Sequence, residues 1–167
     1  MKLTGTAWKF AQEDISTDLI RGKAYGHLPP KEQGLHCLEE VDREFAARAQ
    51  PGDFIVAARN FGCGSSTAAH HAVIGLGIAA VIAESLGRLF LSNCVSGGLW
   101  AITCPGIVDF VTSGDRLEID TATWQICNLT TGRSIACNPL PEFFSAMVEL
   151  GGEKAYLKVR LAQNAGA

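Results

Sequence analysis

The pattern of apolar and polar residues changes once along this chain, near residue 105. Between residues 54 and 104, continuous apolar runs of strand length alternate with segments of helical spacing. Such runs are typical of strands buried on both faces of a parallel sheet and connected by crossover helices. We therefore predict parallel strands at 54–58, 78–83 and 99–103, with helices at 68–76 and 86–95 between them.

The regions on either side follow other patterns. Residues 3–10 include Thr, Trp and Phe and predict an opening strand, whereas the apolar residues of 36–49 recur at helical spacing and predict a helix. After residue 106, short runs between glycine-containing turns predict hairpins, and two further segments predict terminal helices. The predicted hairpin strands are 107–111, 116–119, 123–129 and 134–137, and the terminal helices are 141–150 and 153–161.

Together these elements predict an α/β fold in which helices pack on a mixed sheet. A chain of 167 residues is long enough for one well-packed core and too short for two, so we expect a single domain over residues 1–167. Residues 19–34, which contain Pro29-Pro30, are too many for a simple connection. They predict a long mobile loop.

Composition narrows the classes of function. Apolar residues make up 47% of the chain and charged residues 19%, with a formal net charge of -3. A nucleic-acid-binding surface needs clustered Lys and Arg, which this sequence lacks. It also lacks the roughly 20 uninterrupted apolar residues of a membrane span and the pattern of a signal peptide. We expect a soluble cytoplasmic protein, and the apolar content favours a covered subunit interface.

The six cysteines have wide and irregular spacings, and no C-x-x-C pair is present. That spacing is not typical of a zinc or iron–sulfur site. We predict free thiols rather than disulfides, and no metal bound by this chain.

The stretch from Asn60 to Thr67 lies between a predicted strand and a predicted helix. Gly62 and Gly64 allow the backbone to turn sharply, and Ser65 and Ser66 are expected to open the helix. Unpaired N–H groups at such a turn favour a carboxylate or a phosphate, which makes an anion-binding corner one interpretation. An ordinary turn with a serine N-cap is the other.

Other chemistries fit this stretch less well. Ser66 and His70 share a helix face, but the G-x-S-x-G elbow of a serine hydrolase is absent, so His70 is better explained by packing or capping. Cys63 is best explained as a small packed thiol, since a cysteine nucleophile would need a histidine from elsewhere. A phosphate-binding Walker loop would need a lysine that the stretch lacks.

Several motifs in order resemble one family over roughly residues 1 to 160. They are Ser16-Thr17-Asp18-Leu19-Ile20, Pro51-Gly52-Asp53, Asn60-Phe61-Gly62-Cys63-Gly64-Ser65-Ser66, and Val81-Ile82-Ala83-Glu84-Ser85 with Arg88 and Asn93. This combination is similar to the small subunit of 3-isopropylmalate dehydratase, which corresponds to the swivelling domain of the aconitase family. The resemblance implies the swivelling β/β/α fold, and it places Arg88 and Asn93 beside the active site or the cluster domain, with an ordinary helix surface as the alternative.

The resemblance also implies an activity. Members of the family are hydro-lyases that dehydrate and rehydrate a hydroxy di- or tricarboxylic acid, and the isopropylmalate enzymes act in leucine biosynthesis. A [4Fe-4S] cluster on a large subunit is the Lewis acid, so this chain would bind no cluster, would form a heterodimer and would be inactive alone. The alternative is a non-catalytic carboxylate-binding or regulatory paralogue.

Site residues carry over by match to the family motifs. Ser65 would be the catalytic base, with Thr17 and Asp18 completing a catalytic polar network. The expected substrate-binding residues are Gly64, Ser66, Thr67, Arg21, Lys23, Tyr25 and His27.

Two departures from the family pattern bear on the substrate. The family follows the two serines with Arg-Glu-His, whereas this chain has Thr67-Ala68-Ala69, so the arginine that grips a substrate carboxylate is missing. Three explanations are open. The substrate lacks or repositions that carboxylate, or another residue such as Arg21, Lys23 or His70 replaces the arginine, or the chain is an inactive paralogue. The loop reads Tyr25-Gly26-His27 where isopropylmalate enzymes have Tyr-Leu-Lys or Tyr-Leu-Arg, which favours a substrate other than 3-isopropylmalate.

Overall fold

A computed structural model describes residues 1–64 and 68–165, and the side chains of residues 1–64 and 68–163. Within these ranges, seven strands form one sheet. They are β1 (Lys2–Phe10), β2 (Phe54–Ala57), β3 (Ala80–Ala83), β4 (Trp100–Thr103), β5 (Arg116–Asp120), β6 (Gln125–Asn128) and β7 (Arg133–Ala136). The order across the sheet is β4-β3-β2-β1-β5-β6-β7. The prediction of a mixed sheet is therefore confirmed.

Helices of very different length connect and cover the strands. They are α1 (Thr17–Ile20), α2 (Pro30–Gly34), α3 (Phe45–Arg48), α4 (His70–Gly75), α5 (Arg88–Ser96), α6 (Ile107–Phe110), α7 (Glu142–Glu149) and α8 (Glu153–Ala165). Over the described residues, none of them is long and apolar enough to cross a membrane.

Strand β1 joins two halves of the sheet that differ in direction. Its second half, Ala7 to Phe10, pairs in parallel with β2, and β3 and β4 continue the parallel half. Its first half, Lys2 to Thr6, pairs antiparallel with β5, which β6 and β7 extend as hairpins. The parallel pairing predicted for residues 54–104 is confirmed. The carboxyl ends of β1 to β4 consequently lie along one edge, which in open α/β sheets is where ligands bind.

Both faces of the parallel half are buried, which explains its continuous apolar runs. In β2, Ile55 and Ala57 pack into one apolar cluster, while Phe54 and Val56 pack into the cluster on the opposite face. Successive side chains of a strand point to opposite faces, so a strand with two buried faces has no polar position.

Two predicted elements are wrong. Residues 36–49 are not one helix, because Leu38 adopts a left-handed φ of 56° and the chain turns there; only α3 is helical. Residues 107–111 form helix α6 and not a strand. The reason is a contact distant in sequence, since the Glu84 carboxylate accepts hydrogen bonds from Gly106 N at 2.8 Å and Val108 N at 3.1 Å. A carboxylate that accepts these N–H groups stabilises a helix start.

The segment predicted as a long loop contains ordered elements. A 3₁₀ turn covers Lys23–Tyr25, and α2 packs directly on α4. The contact is between backbones: a Cβ on Gly75 would lie 1.7 Å from Pro30 O, and a Cβ on Gly34 would lie 2.4 Å from Leu76 N. Only glycine permits this approach, so the second half of the segment is fixed against the core.

Candidate active site

The segments that follow β1 and β2 remain hydrogen-bonded to each other beyond the carboxyl ends of these strands. Gly62 N donates to Ile15 O at 2.8 Å, and Thr17 N donates to Cys63 O at 2.8 Å. Ser16 and Cys63 form a parallel bridge. The predicted corner is therefore attached to the start of α1, and these bonds set Thr17 against Gly64.

The segment after β3 completes this arrangement from the other side. Phe61 N donates to Ser85 O at 3.1 Å, and Gly87 N donates to Phe61 O at 2.8 Å. The side chain of Ser85 accepts from Asn60 N at 2.8 Å. Three segments, at 14–17, 60–63 and 85–87, thus lie side by side in the order of the strands that precede them.

Glycines allow these segments to meet closely. A Cβ on Gly62, whose φ is 76°, would lie 2.3 Å from Phe90 Cγ, and a Cβ on Gly87 would lie 2.3 Å from Gly62 O. A Cβ on Gly64, whose φ is 95°, would lie 3.3 Å from Thr17 Oγ1. The glycines predicted to shape the corner therefore do so, both by left-handed backbone and by close packing.

Helix α1 presents Thr17 and Asp18 beside this corner. Ser16 is its N-cap, and the Ser16 hydroxyl accepts from Leu19 N at 3.3 Å. Thr17 is buried. Asp18 Oδ2 lies 3.3 Å from Lys23 Nζ, but Asp18 Oδ1 is buried and accepts no hydrogen bond from the described residues.

Arg21 follows α1 and is buried, with 7% of its surface exposed. Its Nη1 donates to Gln33 Oε1 at 3.3 Å, and Gln33 Nε2 donates to Leu28 O at 2.7 Å. The Arg21 Nε–H is buried and finds no acceptor among the residues that the structure describes. A guanidinium in this position is charged at every working pH.

His70 and His71 are the first two residues of α4, the helix that follows the corner in the chain. Burial lowers the pKa of His70 to about 4, and His71 and Arg21 add to this effect. Burial and Arg21 also lower the pKa of His71. His70 is 8% exposed, and its Nδ1 has no partner in the described part of the chain. Both imidazoles are therefore neutral near pH 7, and the Arg21 charge is a cause that they share.

Buried polar side-chain atoms without a partner are uncommon in folded proteins and each calls for an explanation. Within residues 1–64 and 68–163 there are three: Asp18 Oδ1, Arg21 Nε and His70 Nδ1. Asp18 and Arg21 belong to the segment bonded to the corner, and His70 lies shortly after it in the chain. A polar ligand held between these two segments would account for all three.

The predicted site residues divide into three groups. Ser65, Ser66 and Thr67 lie outside the described residues. Thr17 and Gly64 are in contact, and Asp18 pairs with Lys23. Tyr25 instead stacks on His36 with ring centroids 3.7 Å apart, and a hydrogen bond to the Glu39 carboxylate raises the pKa of Tyr25. His27 is exposed.

Helix α4 begins at His70 and not at residue 68. The expectation that the two serines open this helix is therefore wrong.

Arg88 is exposed at the start of α5, while Asn93 lies in the wall of a cavity of about 320 Å³ with both histidines, Glu153 and Lys154. Gln33, which holds Arg21, was missed because a glutamine after Pro29-Pro30 carries no distinctive sequence signal.

The cysteines occur in several different parts of the fold. All six are free, and four of them are buried. Across the described residues, no three His, Cys, Asp or Glu side chains come together as metal ligands. The Cys104 thiol forms a hydrogen bond with Cys137, which raises the pKa of Cys104. These thiols therefore do not offer the set of thiolate ligands that an iron–sulfur cluster requires.

Comparisons with known proteins show which sequences and structures this chain is similar to. Residues 2–106 match the family model of the aconitase C-terminal domain. The chain is 40% identical over 166 residues to the 3-isopropylmalate dehydratase small subunit of Thermodesulfovibrio yellowstonii, covering 97% of each chain. It is also 40% identical, with the same coverage, to the isopropylmalate/citramalate isomerase small subunit of Methanocaldococcus jannaschii. A crystal structure of 3-isopropylmalate dehydratase from the latter organism superposes with a TM-score of 0.93 at 35% identity and covers all of both chains.

Proposed function

Because this chain belongs to the aconitase C-terminal domain family, we propose that it is the small subunit of a hydro-lyase that isomerises a hydroxy di- or tricarboxylic acid. The substrate is 3-isopropylmalate or a close analogue such as citramalate. The chain works as a single swivelling domain in the cytoplasm, in a heterodimer with a large subunit. Relatives named as small subunits, matched over nearly their whole length, support this assignment.

The observation that carries the proposal is the cluster of unpartnered polar atoms beside the corner. Asp18 Oδ1, Arg21 Nε and His70 Nδ1 are buried without partners in the described ranges. A hydroxy acid offers partners to such groups, because its carboxylates accept from donors such as Arg21 Nε and its hydroxyl can donate to an acceptor such as Asp18 Oδ1. A purely structural turn would have no use for them.

Dehydration beside a carboxylate requires removal of a proton from carbon, which needs a positioned base and donors for the developing negative charge. We assign the base to Ser65 by its match to the family. A serine hydroxyl is a weak base, so its alkoxide must be favoured by surrounding donors. The buried Arg21 charge supplies positive potential in the segment bonded to the corner, and Thr17 Oγ1 lies beside Gly64, 3.3 Å from the position of a Cβ there.

We assign activation of the leaving hydroxyl to the large subunit and not to this chain. An iron–sulfur cluster on the large subunit supplies Lewis-acid chemistry at that hydroxyl. This chain contributes the base and the anion-binding groups, and we expect it to be inactive without its partner.

Co-expression with the large subunit tests the proposal. The complex is purified, its cluster is reconstituted under anaerobic conditions, and alkene formation is followed by ultraviolet absorbance for 3-isopropylmalate, citramalate, citrate and malate. We expect turnover of at least one member. A cluster-loaded complex that converts none of them would refute the enzyme assignment and favour the non-catalytic carboxylate-binding paralogue, which the threonine at position 67 makes the second candidate.

Replacement of the proposed base gives a sharper test. Ser65→Ala should leave complex formation intact and lower kcat by about 10²- to 10⁴-fold, since that is the usual contribution of a general base. The matched control is Ser134→Ala, on the exposed face of β7, which should leave kcat unchanged. Equal activity of the two variants would remove Ser65 from the mechanism.

A further inference from the structure

We infer that Arg21 binds a carboxylate group of the substrate and is the cation that anchors the polyanion at the corner. This inference rests on the proposed function and names a residue of the same site. It also answers a question that the sequence left open, because the position after the two serines, where the family has an arginine, is a threonine here.

The charge of Arg21 is not balanced by a neighbouring acid. Arg21 is buried, with only 7% of its surface exposed, yet none of the ion pairs found in the described part of the chain includes it. The nearest acid along the chain, Asp18, pairs with Lys23 at 3.3 Å. A buried guanidinium without a counter-charge is strongly unfavourable, and an anionic ligand removes that cost.

The free donors of Arg21 have the geometry that a carboxylate requires. Gln33 Oε1 accepts from Nη1 at 3.3 Å, and Leu28 O in turn holds the Gln33 side chain, so the guanidinium is fixed in orientation. Nε is left without a partner among the described residues. The Nε and Nη2 hydrogens form one edge of a guanidinium, and this edge matches the two oxygens of a carboxylate. Gly26 packs close to Nη2, since a Cβ there would lie 3.1 Å from it, and so allows the guanidinium to take this position.

Arg21 also lies where a substrate at the corner would meet it. Arg21 N donates to Thr17 O at 3.0 Å, and Thr17 is the residue that contacts Gly64. On the other side, the guanidinium is close enough to His70 and His71 to contribute to the lowered pKa of both imidazoles. Arg21 therefore belongs to the segment that is bonded to the corner, and its charge acts on the two histidines at the start of α4.

The neighbouring histidines and Lys23 do not compete with Arg21 for an anionic ligand. The two histidines are neutral at working pH and cannot compete for an anion as cations. Lys23, the other cation of the segment, is exposed and paired with Asp18. Under the proposed function the substrate is a hydroxy acid with at least two carboxylates, and we assign the one that is not at the reacting carbon to Arg21.

The test compares Arg21→Gln with Arg116→Gln in the reconstituted complex. Arg116 is exposed on β5, in the antiparallel half of the sheet, so both variants lose one positive charge. Equilibrium binding of citramalate and 3-isopropylmalate is measured by calorimetry, and turnover is measured in parallel. Arg21→Gln should weaken binding and raise KM by about 30- to 1,000-fold, as expected for a buried charged hydrogen bond. Arg116→Gln should leave both unchanged.

Arg21→Lys covers the case in which the glutamine variant does not fold. It keeps the charge and loses the two-donor edge, so it should weaken binding by about 10-fold. Recovery of binding in the Arg21→Gln/Thr67→Arg double variant would further support the assignment, since it returns a guanidinium to the corner.

The outcomes separate this inference from the proposed function. Wild-type complex that binds these acids through Arg21 but converts none of them would refute the enzyme assignment and support the inference. Wild-type turnover with unchanged KM in both Arg21 variants would support the enzyme and overturn the inference. Absence of both binding and turnover in the wild type would overturn both.

Discussion

The buried histidine beside the corner makes the stability of this chain depend on pH. His70 has an ordinary pKa of 6.5 in the unfolded chain and a pKa of about 4 in the folded chain. As the pH falls below 6.5, the unfolded state takes up a proton that the folded state refuses. Stability is therefore fully present above pH 6.5 and is lost as the pH falls toward 4.

The two pKa values set the magnitude. Each pH unit between them corresponds to about 1.4 kcal/mol, so the free energy of unfolding should fall by about 3 kcal/mol across this window. For a domain with a total stability of about 5 to 15 kcal/mol, this is a substantial fraction. The physical cause is burial of the ring, with His71 and the Arg21 charge acting in the same direction.

Urea unfolding of the isolated chain at a series of pH values from about 7.5 to 4 measures this effect. Carboxylates also titrate in the window, so the relevant quantity is the difference between wild type and His70→Asn. The variant should show a pH dependence smaller by about 3 kcal/mol, whatever its absolute stability. His27→Asn is the matched control, because His27 is exposed and its replacement should leave the wild-type slope intact.

Parallel curves for wild type and His70→Asn would refute the reasoning. They would mean that the imidazole accepts a proton in the folded chain as easily as in the unfolded one. Its burial and its proximity to Arg21 would then carry no energetic consequence.

Two further predictions concern packing and hydrogen bonds. Gly62→Ala should lower the free energy of unfolding by at least about 2 kcal/mol, because the new Cβ meets Phe90 and the φ at this position is 76°. The control is Gly114→Ala, which has a φ of 95° but open space around the new Cβ, so it should cost only about 1 kcal/mol. Equal losses of the two variants in urea unfolding would contradict the clash with Phe90. Asp53→Ala leaves three N–H donors without their acceptor and should cost about 3 kcal/mol or more. Asp120→Ala is the control, because its carboxylate is exposed and water can replace it as the acceptor, so it should lower the melting temperature much less. Similar shifts in the melting temperatures of the two variants would contradict this prediction.

The parallel half of the sheet could be predicted from the sequence because burial on both faces produces an unmistakable pattern. Runs such as Phe54–Ala57 and Ala80–Ala83 have no polar position, which is typical of strands buried on both faces. Turns were predictable where glycine chemistry is local, as at Gly62 and Gly64, whose positive φ values agree with the prediction of a sharp corner.

The failures have a common cause in contacts between distant residues. Ile107–Phe110 contains β-branched residues and resembles a strand, but Glu84, 22 to 24 residues earlier, accepts its first N–H groups. The helical spacing of residues 36–49 is real, yet Leu38 N donates to Ile20 O and the backbone turns at Leu38. The same limit applies to the site. Arg21 was a candidate from the sequence, whereas its burial, its contact with Gln33 and its effect on His70 depend on tertiary placement.

The central position of β1 has a consequence for how the chain acquires its structure. Strand β1 leaves the ribosome before both of the strands that pair with it, and its antiparallel partner ends at residue 120. Until that residue emerges, β1 has at most one paired edge, and the parallel half can form while the hairpin half cannot. Long-range pairing of this kind slows folding and leaves a strand edge exposed in the meantime. Between the emergence of β4 and that of β5, the nascent chain therefore has a parallel half whose β1 edge is open to mispairing.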